Sequence, residues 1–117
     1  MRYFTEKEIN NASYGCLNGF ERMNEAALDM FDQLRHACGF PLTPTCMFRT
    51  SRWDLEKGRS GNSKHTEGLA ADFACDDAQK RAVIAREAFR LGFSGIGIHK
   101  DFVHVDCREG AAVMWLY

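Results

Sequence analysis

The chain has 117 residues, of which 45% are hydrophobic and 26% charged, with a net charge of −1. That length suits one domain built on one core, and the apolar fraction excludes a disordered chain. No apolar run reaches the roughly 18–20 residues of a membrane span, and the balanced charge leaves no electrostatic footprint for nucleic acid or an anionic membrane.

Thr5 followed by Glu8 forms a capping box and predicts a short helix. Residues 15–23 are irregular and read as loop. Asn24 predicts an N-cap, after which Ala27, Met30, Phe31, Leu34, Ala37 and Cys38 form one apolar stripe. Glu25, Asp29 and Asp32 crowd its early turns and Arg35 and His36 its end, which suits the helix dipole. Gly39 is the expected stop. Residues 41–48 read as a strand, 49–62 as a long polar loop, and 68–75 as a second strand that Asp72 interrupts.

Asp76 and Gln79 signal another helix, with Ala78, Ala82, Ala85 and Phe89 as its stripe and Gly92 as its end. Residues 96–98 and 102–107 predict two strands joined by the turn His99-Lys100-Asp101. Helices and strands do not alternate strictly. The fold class is therefore α+β, with helices packed on a mainly antiparallel sheet and one domain over residues 1–117.

Five cysteines stand at 16, 38, 46, 75 and 107, an odd number with no C-x-x-C pair. They read as small core hydrophobes in a reducing compartment rather than as a disulfide framework. The run 1–8 is too polar for a secretory signal, so synthesis in the cytoplasm is expected.

Four polar groups stand where an apolar core has no use for them. His65 lies just before a strand, Asp72 breaks the run Leu69-Ala70-Ala71-Asp72-Phe73-Ala74, and His104 and Asp106 alternate with Val103 and Val105. Alternate strand residues share a face, so Phe102, His104 and Asp106 point one way and the valines the other. A buried carboxylate needs a partner. His65, Asp72 and His104 together offer the three protein ligands of a catalytic zinc site. The alternative is a structural hydrogen bond between one carboxylate and one histidine, and spacing alone leaves both open. Asp101, three residues before His104, is placed either to activate a water near that site or as an ordinary turn residue.

Ser63-Lys64-His65-Thr66-Glu67-Gly68-Leu69-Ala70-Ala71-Asp72 matches the pattern S-x-H-x-x-G-x-A-x-D, and Asp101-Phe102-Val103-His104-Val105-Asp106 supplies a second motif. With them the chain resembles the zinc D-alanyl-D-alanine carboxypeptidases and the phage endolysin L-alanyl-D-glutamate endopeptidases of the hedgehog/DD-peptidase fold. Phe48-Arg49-Thr50-Ser51, Gly95-Ile96-Gly97-Ile98, Tyr3-Phe4-Thr5 and Trp115 extend the likeness over nearly the whole chain.

The resemblance implies a zinc cofactor held by His65, Asp72 and His104. Asp101 would be the general base for the water that zinc activates. Arg49 would stabilise the oxyanion, Ser63 would orient the site or bind substrate, and Gly68 and Ala70 would let neighbouring chain approach the metal. Arg52 would share or replace the role of Arg49. Arg108 would bind a substrate carboxylate or form a surface ion pair. His99 would be a second histidine near the site or a solvent-facing turn residue. The implied substrate is the stem peptide of bacterial peptidoglycan, reached after phage-type release. The alternative is an inactive zinc-binding or virion structural module of the same fold.

Overall fold

A computed structural model describes residues 3–117; Met1 and Arg2 of the polar amino terminus lie outside the described residues. The chain runs α1 (Glu6–Asn11), α2 (Gly19–Arg22), α3 (Glu25–Cys38), β1 (Pro44–Cys46), α4 (Ser51–Glu56), a 3₁₀ turn (Lys64–Glu67), β2 (Ala70–Ala74), α5 (Ala78–Leu91), β3 (Gly95–Ile98), β4 (Phe102–Asp106) and β5 (Val113–Leu116).

The capping signals place the helices. Thr5 accepts from the Glu8 N–H, and Asn24 from the Ala27 N–H. Asp77, one residue beyond the expected Asp76, accepts from the Lys80 N–H and starts α5. Gly39 and Gly92 end α3 and α5 in the left-handed conformation.

Four expectations change. The loop 15–23 contains the single turn of α2, and the loop 49–62 contains α4, whose N-cap Thr50 accepts from the Trp53 N–H. The strand read at 41–48 pairs only over Pro44–Cys46. A fifth strand, β5, lies in the segment after Arg108, which carried no strand signal of its own.

The sheet has the order β1-β2-β4-β3-β5. Every pairing is antiparallel except β3 with β5, so the sheet is mixed. Ala71 and Phe73 of β2, Ile96 of β3, and Val103 and Val105 of β4 form one face and are fully buried. This face packs with Phe31 and Leu34 of α3 and Ile84 and Ala88 of α5. Phe31 meets Phe73 edge-on at 5.9 Å and stacks on Phe93 at 5.4 Å. Burial of each such ring contributes roughly 1.5–3 kcal/mol.

The opposite face carries the polar alternates. Register aligns one row across all five strands: Cys46 opposite Asp72, Asp72 opposite His104, His104 opposite Gly97, and Gly97 opposite Trp115. The next row sets Ala70 and Gly95 on either side of Asp106.

Candidate active site

The row is shaped by what its glycines omit. A Cβ at Gly97 would stand 2.6 Å from Trp115 Nε1, so only glycine lets the indole lie over β3. Its ring reaches His104, centroids 5.1 Å apart. A side chain at Gly95 would collide with the Asp106 carboxylate. His65 enters from the 3₁₀ turn, which Gly68 closes at φ +71°, and a Cβ there would stand 2.5 Å from the Arg22 carbonyl oxygen. Gly68 of the first motif and Gly95 and Gly97 of β3 thus bring side chains and backbone together.

His65, Asp72 and His104 converge. His65 Nδ1 lies 2.7 Å from the Met47 carbonyl oxygen. A carbonyl only accepts, so Nδ1 carries the proton and Nε2 is left facing Asp72 Oδ1 at 3.2 Å. His104 Nε2 lies 2.7 Å from Asp106 Oδ2, which leaves Nδ1 facing the same Asp72 oxygen at 2.9 Å. A carboxylate or carbonyl behind each imidazole is how metal-binding histidines are oriented.

Two imidazole nitrogens thus aim at one carboxylate oxygen, in a pocket where the His65 and His104 side chains are 3% and 6% exposed. Neutral imidazoles would present only lone pairs there, so the arrangement requires positive charge. A proton on His65 supplies it in the metal-free protein. Burial opposes charging His65, but the hydrogen bond to Asp72, helped by the Cys46 sulfur, wins and raises its pKa to about 10. Burial likewise opposes ionising Asp72, yet His104 and His65 hold its carboxyl well below the usual range. A divalent cation would take the place of such a proton, since imidazole nitrogen and carboxylate oxygen are both zinc donors. The residues present therefore fit a zinc ion.

Cys46, taken from sequence as a core hydrophobe, belongs to this site. One donor atom each of Cys46, His65 and Asp72 lies within 4.8 Å of the others. Its Sγ is 3.6 Å from His65 Nδ1 and 3.6 Å from Arg49 Nη1. Among the described residues this is the one trio with that spacing; His104 shares the Asp72 oxygen with His65 without joining a trio so close.

A cleft of about 300 Å³ opens over the row, with Arg49, Arg59 and Ser63 on one wall and Phe102, Trp115 and Tyr117 on the other. Arg49 is 9% exposed, and its Nη2 donates to Ser63 Oγ at 3.1 Å. Its Nε lies 2.6 Å from Asp54 Oδ1, a fully buried carboxylate that the sequence reading missed.

Residues 2–106 match the family model described as Peptidase M15. The chain belongs to the M15 peptidase family. No curated protein matches this sequence. M15 peptidases are zinc-dependent metallopeptidases, in keeping with the donor set on the sheet. The match stops at Asp106, so the aromatic wall built by Trp115 and Tyr117 of this M15 chain lies beyond it.

The other expected site residues are engaged differently. The Arg52 side chain is 90% exposed on α4 and pairs with Glu56, so it is no substitute for Arg49. Arg108 lines the cleft, but its backbone N–H, Nε and Nη2 all bond the buried Asp106 carboxylate, and its guanidinium lies 4.8 Å from the Trp115 ring centre. It forms a partly buried ion pair rather than presenting a free cation. Asp101 does not line the cleft. Its carboxylate lies 3.5 Å from Lys100 Nζ, beside a hollow bordered by Ala74, Cys75 and Asp76. His99 stacks on Phe102 at 4.5 Å, and its Nδ1 accepts from the Asp101 N–H. It buttresses the aromatic wall from behind.

Proposed function

We propose that this M15 peptidase is a zinc enzyme of the hedgehog/DD-peptidase fold that cleaves stem peptides of bacterial peptidoglycan, at a D-alanyl-D-alanine or an L-alanyl-D-glutamate bond. The observation that carries the reading is the convergence of His65 Nε2 and His104 Nδ1 on Asp72 Oδ1 beneath a cleft that also holds Arg49. A structural His–Asp pair needs one imidazole, no second orienting carboxylate and no adjacent cation.

His65, Asp72 and His104 would hold the zinc. Cys46 is the weaker third ligand, because its sulfur faces the Arg49 guanidinium and the Nδ1 side of His65 already serves Met47. Zinc at this place supplies Lewis acidity, polarising the scissile carbonyl and acidifying water. Arg49, fixed at the cleft wall, would stabilise the negative charge that develops on the carbonyl oxygen. Ser63 would hold Arg49 and contact substrate. Phe102, Trp115 and Tyr117 would exclude water from one side, which strengthens every charge interaction within.

The acid–base role falls to Asp101, which would take a proton from the attacking water and pass one to the leaving amine. Its carboxylate rests outside the cleft beside Lys100, in the turn that enters β4 one residue before Phe102, so the role requires that turn to swing it toward the zinc ligands. The stem peptide would be met at the cell wall after release from the cytoplasm.

Digestion of purified peptidoglycan, followed by mass spectrometry of the new termini, tests the reading. Alanine or glutamate termini absent from the untreated wall are the expected result and name the bond. An unchanged wall with zinc bound would replace the enzyme with a binding module. Zinc-loaded Asp101→Ala should leave the wall intact, and hydrolysis at the wild-type rate would remove Asp101 from the reaction.

A further inference from the structure

Asp54 and Asp106 are both 0% exposed, and of the two only Asp106 touches a site histidine. Burying an ionised carboxylate is strongly unfavourable unless it is paired and hydrogen-bonded. Asp54 is both. Its Oδ1 lies 2.6 Å from Arg49 Nε, and its Oδ2 accepts the Gly61 N–H at 3.0 Å. Its backbone carbonyl accepts the Arg59 N–H at 2.9 Å.

These contacts link the two parts of one cleft wall. Arg49 comes from the segment just before α4, and Ser63 from the loop after it. With Nε facing Asp54, the guanidinium turns Nη1 toward Cys46 and Nη2 toward Ser63 Oγ. Trp53, next to Asp54, lies under the same guanidinium, its ring centre 6.0 Å from Cζ. Arginine's planar fork has no orientation of its own about the last side-chain bonds, so a fixed carboxylate on the Nε edge decides which way the terminal nitrogens face.

We propose that Asp54 is the positioning residue for Arg49: its buried carboxylate fixes the Nε edge of the guanidinium, so that the terminal nitrogens face the cleft, and registers the loop that carries Ser63. This rests on the reading of Arg49 as the cation for the oxyanion. Asp54 touches no reacting atom and acts through Arg49 alone. A cation that acts on charge present only in the transition state governs kcat more than KM.

The test uses the zinc-loaded full chain and the variants Asp54→Asn, Arg49→Lys and their double. Asn nearly matches Asp in size but sets an N–H against either Arg49 Nε or the Gly61 N–H. In nitrogen–proton NMR spectra, the wild type should show a slowly exchanging arginine Nε–H, assigned by its absence from Arg49→Lys. Its exchange should speed up by about tenfold or more in Asp54→Asn.

With peptidoglycan as substrate, Asp54→Asn should lower kcat by about ten- to a hundredfold and change KM by less than about threefold, at unchanged zinc content. In the Arg49→Lys background the same change should cost less than about twofold. Should Asp54→Asn fail to fold, Asp54→Glu keeps the charge one methylene further out. It should retain a protected Nε–H with kcat between wild type and Arg49→Lys. Unchanged Nε–H exchange in Asp54→Asn, or kcat losses that multiply in the double variant, would overturn the inference. A wild type that leaves peptidoglycan intact would overturn the peptidase reading and the catalytic half of this one, while the NMR arm still decides whether Asp54 fixes the guanidinium.

Discussion

The two faces of the one sheet are built from alternate residues of the same strands, yet they follow opposite rules. On the helix-covered face, Phe73, Val103, Val105 and Ile96 meet other apolar groups, and every contact is satisfied within the protein. On the other face, Asp72, His104 and Asp106 sit in the same strands and converge on one another. Two imidazole nitrogens and a carboxylate oxygen there are balanced only by protons or by a cation. The apolar face stabilises the fold, and it thereby holds the polar face in an arrangement that would not persist alone. Functional sites are where such local conflict is expected.

The comparison breaks first at Asp72. Asp72→Ala should abolish both bound zinc and peptidoglycan hydrolysis while the circular dichroism spectrum keeps its helical signal. Zinc near one equivalent in that variant would show that the polar face does not bind metal as described.

Phe73→Ala is the matching lesion one residue along β2, on the other face. It should cost about 3–5 kcal/mol of stability by denaturant unfolding, through lost burial and the cavity left behind. The fraction still folded should keep its zinc. Zinc per folded molecule well below one at low denaturant would mean that the two faces are not separable.

Asp106→Asn should weaken zinc by about 10- to 100-fold in chelator competition, because it loosens the group that orients His104 without removing a ligand. An unchanged affinity would make Asp106 a partner of Arg108 alone.

The last effect is on pH. In the metal-free protein, the folded-state pKa of His65 is raised from 6.5 to about 10. The stabilisation is therefore fully present below about pH 6.5 and is lost as pH rises toward 10. Asp72 has the opposite sign: its depressed pKa contributes stability above its ordinary value of 3.8, lost as the solution is acidified. Thermal melts in chelator should fall between pH 6.5 and 10, and melts with zinc should fall less, since the metal replaces the protons. Equal slopes with and without zinc would place the metal elsewhere.

Much of this was legible in the sequence, for definite reasons. The helices α3 and α5 announce themselves by stripe, N-cap and terminal glycine. The site histidines and aspartates stand out because they interrupt apolar alternation in β2 and β4. What escaped lacked such a pattern. Helix α4 has six residues and a charged one, Asp54, as its buried member, so no apolar stripe marks it. The same helix explains Arg52, which spacing could not separate from Arg49: one turn of helix points it into solvent. Strand β5 is a short edge strand paired in parallel, and its Val113, Met114 and Leu116 are exposed, so alternation gives no face to recognise. Cys46 looked like a small core residue because its partner in the row, Asp72, is distant in sequence.

The central claim is that His104, rather than Cys46, completes the metal site with His65 and Asp72. Elemental analysis of purified Cys46→Ala and His104→Ala, each equilibrated with zinc and freed of excess, tests it most directly. The expected result is one zinc per chain in Cys46→Ala, as in wild type, and nearly none in His104→Ala. Zinc retained by His104→Ala and lost from Cys46→Ala would contradict it and move the metal to the other side of His65.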